Sequence, residues 1–142
     1  KNFFSFMKNP ISVLIADDNK LMWKTLSLLI SETEGLQLAG IARNGEEAIA
    51  LAKELSPDII LMDINMSPVN GFEATRKILK HDPVAKIIGL SLYTEPAYAR
   101  NMLKLGAKGY VTKTAAHQEI IAAIIKVAAG GKYIDKVLEG KI

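Results

Sequence analysis

The sequence predicts a doubly wound α/β domain, a five-stranded parallel sheet in the order 2-1-3-4-5 with helices on both faces. Three observations carry this. Short apolar runs alternate five times with helix-patterned segments, as βα units do. The 142 residues are one domain's worth, long enough to bury about two-thirds of the surface the unfolded chain would expose. Parallel crossovers are right-handed, which leaves few topologies for five such units. In the order 2-1-3-4-5, that of flavodoxin, strands one and three are neighbours and ligands bind beyond the carboxyl ends of the strands.

The elements follow in order. Residues 1–10 form an N-terminal extension without the long apolar core and small-residue cleavage site of a secretory signal, and Met7 is a candidate start within it. The domain proper spans 11–131. Strand one is read at 13–16 (VLIA), running straight into Asp17 and Asp18, and helix 20–31 carries Trp23 as a packing residue. After strand two at 36–42, Ala48, Leu51, Ala52 and Leu55 recur at i, i+3, i+4, i+7, one face of a helix, with Glu46 and Glu47 suited to the positive end of its dipole. Strand three, 59–63 (IILMD), ends on Asp63 and precedes helix 71–81, which closes on His81. Strand four at 86–91 (KIIGLS), helix 96–105, strand five at 109–113 (GYVTK) and helix 117–129, opening on a surface His117, complete the pattern.

In that last helix Ile121, Ile125 and Ala128 share one face and are expected to pack on the sheet. Ile120, Ile124 and Val127 lie to one side and widen the apolar arc beyond the roughly 100° a core-facing helix needs. Two outcomes stand open: helix one covers the surplus with Leu26, Leu29 and Ile30, or the surplus is exposed and supports a weak homodimer through helix 117–129. Gly130 and Gly131 read as a helix C-cap, and 132–142 as the start of a linker.

Composition excludes several classes. Apolar residues at 49% and charged residues at 23% are those of a water-soluble globular protein, not of a disordered or membrane one. No apolar run is long enough to span a bilayer. Without cysteine there is no disulfide framework or thiolate metal site, which suits a cytoplasmic location. The net charge of +3 is dispersed along the chain, so it does not indicate nucleic-acid binding.

The chemistry lies at the carboxyl ends. The topology brings Asp17 and Asp18 beside Asp63. At about 4 Å each carboxylate pair would repel by roughly 4 kcal/mol at an effective dielectric near 20. A cation must offset this, or one carboxylate must stay protonated. Oxygen ligands with no His or Cys nearby favour Mg²⁺, held by one or two carboxylates, waters and phosphate oxygens. Lys113, ending strand five, can supply a second positive charge. A structural reading coexists with this one: Asp18 or Asn19 would cap helix one.

These residues carry a resemblance. ADDN (16–19), LMDINM (61–66) with Asn70-Gly71, Ser91 in IIGLS and GYVTK (109–113), in order and each near a strand end, resemble the receiver domain of a two-component response regulator from Ile11 to about Tyr133. The tail GGKYID (130–135) is most similar to the LuxR-type, nitrate-regulator-like branch, in which a DNA-binding output domain follows. The resemblance implies that Asp63 accepts a phosphoryl group from a histidine kinase or phosphotransfer protein. It further implies that Asp18 ligates Mg²⁺ directly, Asp17 mainly through water and Asn65 through its backbone carbonyl. Lys113 would pair with the carboxylate and then the phosphoryl group. Ser91 would bond a phosphoryl oxygen, and Tyr110 would be the aromatic that changes exposure with it. DNA would be met only through an output domain outside this chain.

The sequence departs from the family in places. Ser67 stands where Pro is usual, with Pro68 one place later, and Leu92 follows Ser91 where a small residue is usual. Thr114 replaces a frequent Pro after Lys113, so a cis peptide there would cost about 3 kcal/mol. Tyr93 and Asn65 occupy positions where similar receivers tune hydrolysis of the phosphoryl group. Two other readings remain. A Mg²⁺-dependent aspartyl-nucleophile phosphohydrolase needs an acid/base residue two places after the nucleophile, where Asn65 cannot serve. A phosphorylation-independent interaction domain is left open by Ser67 and Leu92. Flavin and dinucleotide binding are disfavoured, with no Ser/Thr-rich loop after strand one and no GxGxxG.

Overall fold

The central strands are apolar on both faces because helices cover both. In the computed structural model, which describes residues 9–92 and 94–142, β1 (Ile11–Ala16), β3 (Ile59–Asp63) and β4 (Ile87–Ser91) are almost wholly buried. The readings of Met7 and Tyr93 lie outside the described residues. Between and after these strands come α1 (Lys20–Glu32), β2 (Leu36–Ala42), α2 (Gly45–Leu55), α3 (Gly71–His81), α4 (Pro96–Leu105), β5 (Gly109–Thr112), α5 (His117–Ala128) and β6 (Tyr133–Ile134). All pairings are parallel, in the order β2-β1-β3-β4-β5-β6. The expected order 2-1-3-4-5 is present, and a short sixth strand is added beside β5.

Asparagines start three of the helices. The side chains of Asn19, Asn44 and Asn70 accept from the backbone N–H groups of Met22, Glu47 and Glu73 at 2.9, 2.8 and 2.9 Å. Each cap satisfies a donor that the helix leaves open, worth about 1 kcal/mol. β1 starts two residues before its expected position, because Ile11 and Ser12 pair with Leu36 and Gln37 of β2, and on its other side Ser12 N–H donates to Asp58 Oδ2 at 2.8 Å.

Two cores flank the sheet. On one side α1 and α5 bury Leu26, Ile30, Ile120 and Ile124 against Val13, Ile15, Leu61 and Leu90. On the other, α2, α3 and α4 bury Ala48, Ala74, Ile78 and Met102 against Leu14, Ile60 and Met62. Trp23 packs at the edge of the first core with the Arg43 guanidinium 5.7 Å from its ring centroid, a cation–π contact. His81 and His117 are exposed.

Helix α5 corrects one expectation. Its buried stripe is Ile120, Ala123, Ile124 and Val127, while Ile121, Ile125 and Ala128, expected on the sheet, are only partly covered. The stripe is turned by about one residue, or roughly 100°. Ala123 is the residue that pattern reading underweights, and Leu26 and Ile30 of α1 share the core with this face. The side chains expected to one side, Ile120, Ile124 and Val127, are therefore the covered ones, and the partly exposed part of the arc is Ile121, Ile125 and Ala128. Among the described residues no helix is long and apolar enough to cross a membrane.

Candidate functional site

Each parallel strand delivers its last side chain to one edge of the sheet. There Asp17, just after β1, is fully buried, Asp63, the last residue of β3, is 1% exposed, and Asp18 is exposed. One carboxylate oxygen from each lies within 4.8 Å of the others. Asn19, not Asp18, caps α1, so Asp18 is left to the cluster.

Backbone donors serve only one oxygen of each buried acid. Asn19 N–H donates to Asp17 Oδ1 at 2.8 Å, and Asn65 N–H donates to Asp63 Oδ1 at 3.0 Å. Among the described residues the two Oδ2 atoms have no donor besides Lys113. They share a single charge: Lys113 Nζ stands 2.8 Å from Asp17 Oδ2 and 3.3 Å from Asp63 Oδ2. Lys113 is the residue just past β5, and its N–H donates to Ser91 O at 2.7 Å, which fixes where its side chain begins. Burial is the main reason the Asp63 pKa rises from 3.8 to about 6, opposed by the Asn65 amide, reinforced by the Asp17 charge and opposed by Lys113. One lysine does not balance this cluster.

Glycines set the walls. A Cβ on Gly71 would overlap the Asp63 carbonyl oxygen and sit 2.5 Å from Ile64 Cα, so only glycine lets α3 begin against the Asp63 backbone. A Cβ on Gly89 would stand 2.9 Å from Tyr110 Cδ2, and its absence makes room for the ring of the cross-strand partner. Tyr110 is fully buried, and burial pushes its phenol pKa up, with the Ser91 side chain opposing. Ser91 ends β4, also buried.

The departures from the family pattern lie around this edge. Leu92 is 65% exposed. Among the described residues the cis peptide is Ser67–Pro68 and not Lys113–Thr114, so the cost attached to Thr114 does not arise. Sequence reading places Asp17, Asp18, Asp63, Ser91 and Lys113 at one edge, and the structure brings them there; Tyr110 lies further back in β5, opposite Gly89, with its phenol beside the Ser91 side chain. Asn65 reaches the edge through its backbone. Gly89 and Asp135 were missed: Gly89 is an unremarked letter inside IIGLS, and Asp135 falls in a segment read as linker.

Residues 13–125 match the model of the response regulator receiver domain. The chain belongs to that family. It is similar to the response regulator GacA of Pseudomonas aeruginosa, 40% identical over 124 residues, which are 87% of this chain and 58% of GacA. This receiver thus spans little more than half the length of such curated relatives. Among solved structures, a LuxR-family two-component response regulator from Aurantimonas sp. SI85-9A1 is 30% identical with a TM-score of 0.84, covering 88% of this chain and 89% of that one. The signal receiver domain of NarL from Mycobacterium tuberculosis is 25% identical with a TM-score of 0.82, over 86% and 98%. The receiver is of the LuxR/NarL-type branch.

Proposed function

We propose that Asp63 is the phosphoacceptor of this receiver and that Mg²⁺ is its cofactor. The observation that carries the reading is that Asp17 Oδ2 and Asp63 Oδ2, both buried, share one lysine while a third carboxylate lies within 4.8 Å. Such a site is short of one cation. The donors are all oxygens, which fits Mg²⁺, with Asp18 as a direct ligand, Asp17 mainly through water, and Asp63 and the Asn65 carbonyl completing the protein's share. Bound there, the ion supplies charge neutralisation for the carboxylates and the incoming phosphoryl oxygens.

The residues then divide the work. An Asp63 oxygen attacks the phosphorus of a kinase phosphohistidine, the P–N bond breaks, and an acyl phosphate forms. Lys113 is close enough to both acids to follow the charge from carboxylate to phosphoryl group. The Ser91 hydroxyl takes a phosphoryl oxygen, and Tyr110, packed beside it, responds to that movement. Slow attack by water restores Asp63. This is signalling turnover, since the Asn65 amide cannot act as the acid/base a phosphohydrolase needs two places after its nucleophile.

The proposal extends to the partners. A histidine kinase or phosphotransfer protein would supply the phosphoryl group in the cytoplasm, and a DNA-binding output domain of LuxR type would read the switch. Likeness to GacA over its receiver portion supports this. Intact-mass measurement after incubation with acetyl phosphate tests the core claim: one adduct is expected with Mg²⁺, and none without it or in Asp63→Asn. An adduct of equal yield in that variant rejects the assignment. Asp18→Asn should weaken Mg²⁺ binding more than Asp17→Asn.

A further inference from the structure

Asp135 is a buried acid that the phosphoacceptor mechanism does not use. It is 1% exposed and lies just beyond β6. β6 pairs with β5 only at Gly109 and Tyr110, and Asp135 N–H then donates to Tyr110 O at 2.8 Å. Where backbone pairing stops, the Asp135 carboxylate takes over. Its Oδ2 accepts from Thr112 N–H at 2.7 Å and from Thr112 Oγ1 at 2.9 Å, and its Oδ1 accepts from Val137 N–H at 3.0 Å. The next residue after Thr112 is Lys113, the cation of the site.

Other contacts hold the segment in place. Glu119 Oε2 accepts from the Tyr133 hydroxyl at 2.9 Å and from Lys136 N–H at 3.0 Å, and Leu138 is fully buried. The end of β5 is therefore held from two sides: by Ser91 O on the Lys113 amide, and by Asp135 on Thr112.

We propose that Asp135 is a positioning residue for Lys113, and that docking of residues 133–138 on β5 is thermodynamically linked to phosphoryl binding at Asp63. The proposal rests on the phosphoacceptor reading. If the docked segment sets Lys113 to receive the phosphoryl group, a phosphoryl group held by Lys113 must favour the docked segment by the same factor.

The test uses the full chain with Mg²⁺ and beryllofluoride as the phosphoryl analogue. Asp135→Ala should weaken beryllofluoride affinity on the order of tenfold, and beryllofluoride should slow amide exchange of residues 133–138 in the wild type by a comparable factor. Asp135→Asn, which can still accept from Thr112 but not from Val137, should show a smaller loss, about threefold, and covers the case in which the alanine variant folds poorly. A merely structural role would lower the unfolding midpoint and leave the affinity below the transition unchanged. Unchanged affinity in both variants, or exchange indifferent to beryllofluoride, overturns the linkage. A wild type that binds no beryllofluoride removes the phosphoacceptor reading itself, and the linkage with it.

Discussion

Two sets of buried aspartates sit in the same sheet and are treated in opposite ways. Asp135 has three donors for its two oxygens. Asp17 and Asp63 have one backbone donor each and leave both Oδ2 atoms to a shared lysine. A carboxylate whose lone pairs are filled by its own fold is a fastener, because burial then costs little and removal leaves donors stranded. A carboxylate left short of donors and crowded by another is kept at a cost, and the cost falls when a cation arrives. The number of donors per buried acid separates the acid that ties backbone segments together from the acids proposed to meet a cation, although both sets stand near the end of a strand.

Removing Asp135 should have the largest effect on stability. Asp135→Ala strands the Thr112 amide and hydroxyl and the Val137 amide, and a loss of about 2–4 kcal/mol is expected in urea unfolding. A loss below about 1 kcal/mol would show that water replaces the carboxylate and would break the contrast. Next comes the metal. At a hundredfold excess over its dissociation constant, Mg²⁺ should stabilise the chain by about 2.7 kcal/mol, and most of this should vanish in Asp18→Asn. Equal stabilisation of the variant would place the ion elsewhere.

The third expectation has the opposite sign to the first. With its pKa raised from 3.8 to about 6, Asp63 binds more proton in the folded than in the unfolded chain across that interval. The stability it contributes is full below about pH 4 and is lost as pH rises through 6. In Mg²⁺-free buffer Asp63→Asn should therefore be more stable than wild type by about 1–3 kcal/mol at pH 7, with the gap closing near pH 4. A constant gap across that range would point to packing instead of charge. The smallest effect is at Leu92: with the side chain 65% exposed, Leu92→Ala should change stability by less than about 0.5 kcal/mol. It should also speed labelling by acetyl phosphate if the side chain shields Asp63, and an unchanged rate would show that it points away.

Much of this was legible because the relevant signals are local. Helices at 71–81 and 96–105 were read with the bounds the structure has, since a cap or Pro opens each and apolar period fills it. Asp17, Asp63 and Ser91 were placed together because a parallel sheet sends strand ends to one edge. The facing of α5 was not legible, since Ile120, Ile121, Ile124 and Ile125 are equally apolar and only packing against α1 and the sheet chooses among them. Nor was β6, whose two residues carry no pattern and pair only because β5 offers an open edge.

By itself, then, the sequence determined the βα alternation, the strand order and the acidic edge, because each follows from short-range periodicity and from the handedness of crossovers. The tertiary structure alone decided how the charges are shared. That Lys113 stands between Asp17 and Asp63, that Asp63 is the acid whose pKa climbs to about 6, and that Asp135 is held by Thr112, 23 residues away in sequence, depend on distances across the sheet. Electrostatic and hydrogen-bond energies are functions of those distances and of burial, and residue order does not encode them directly.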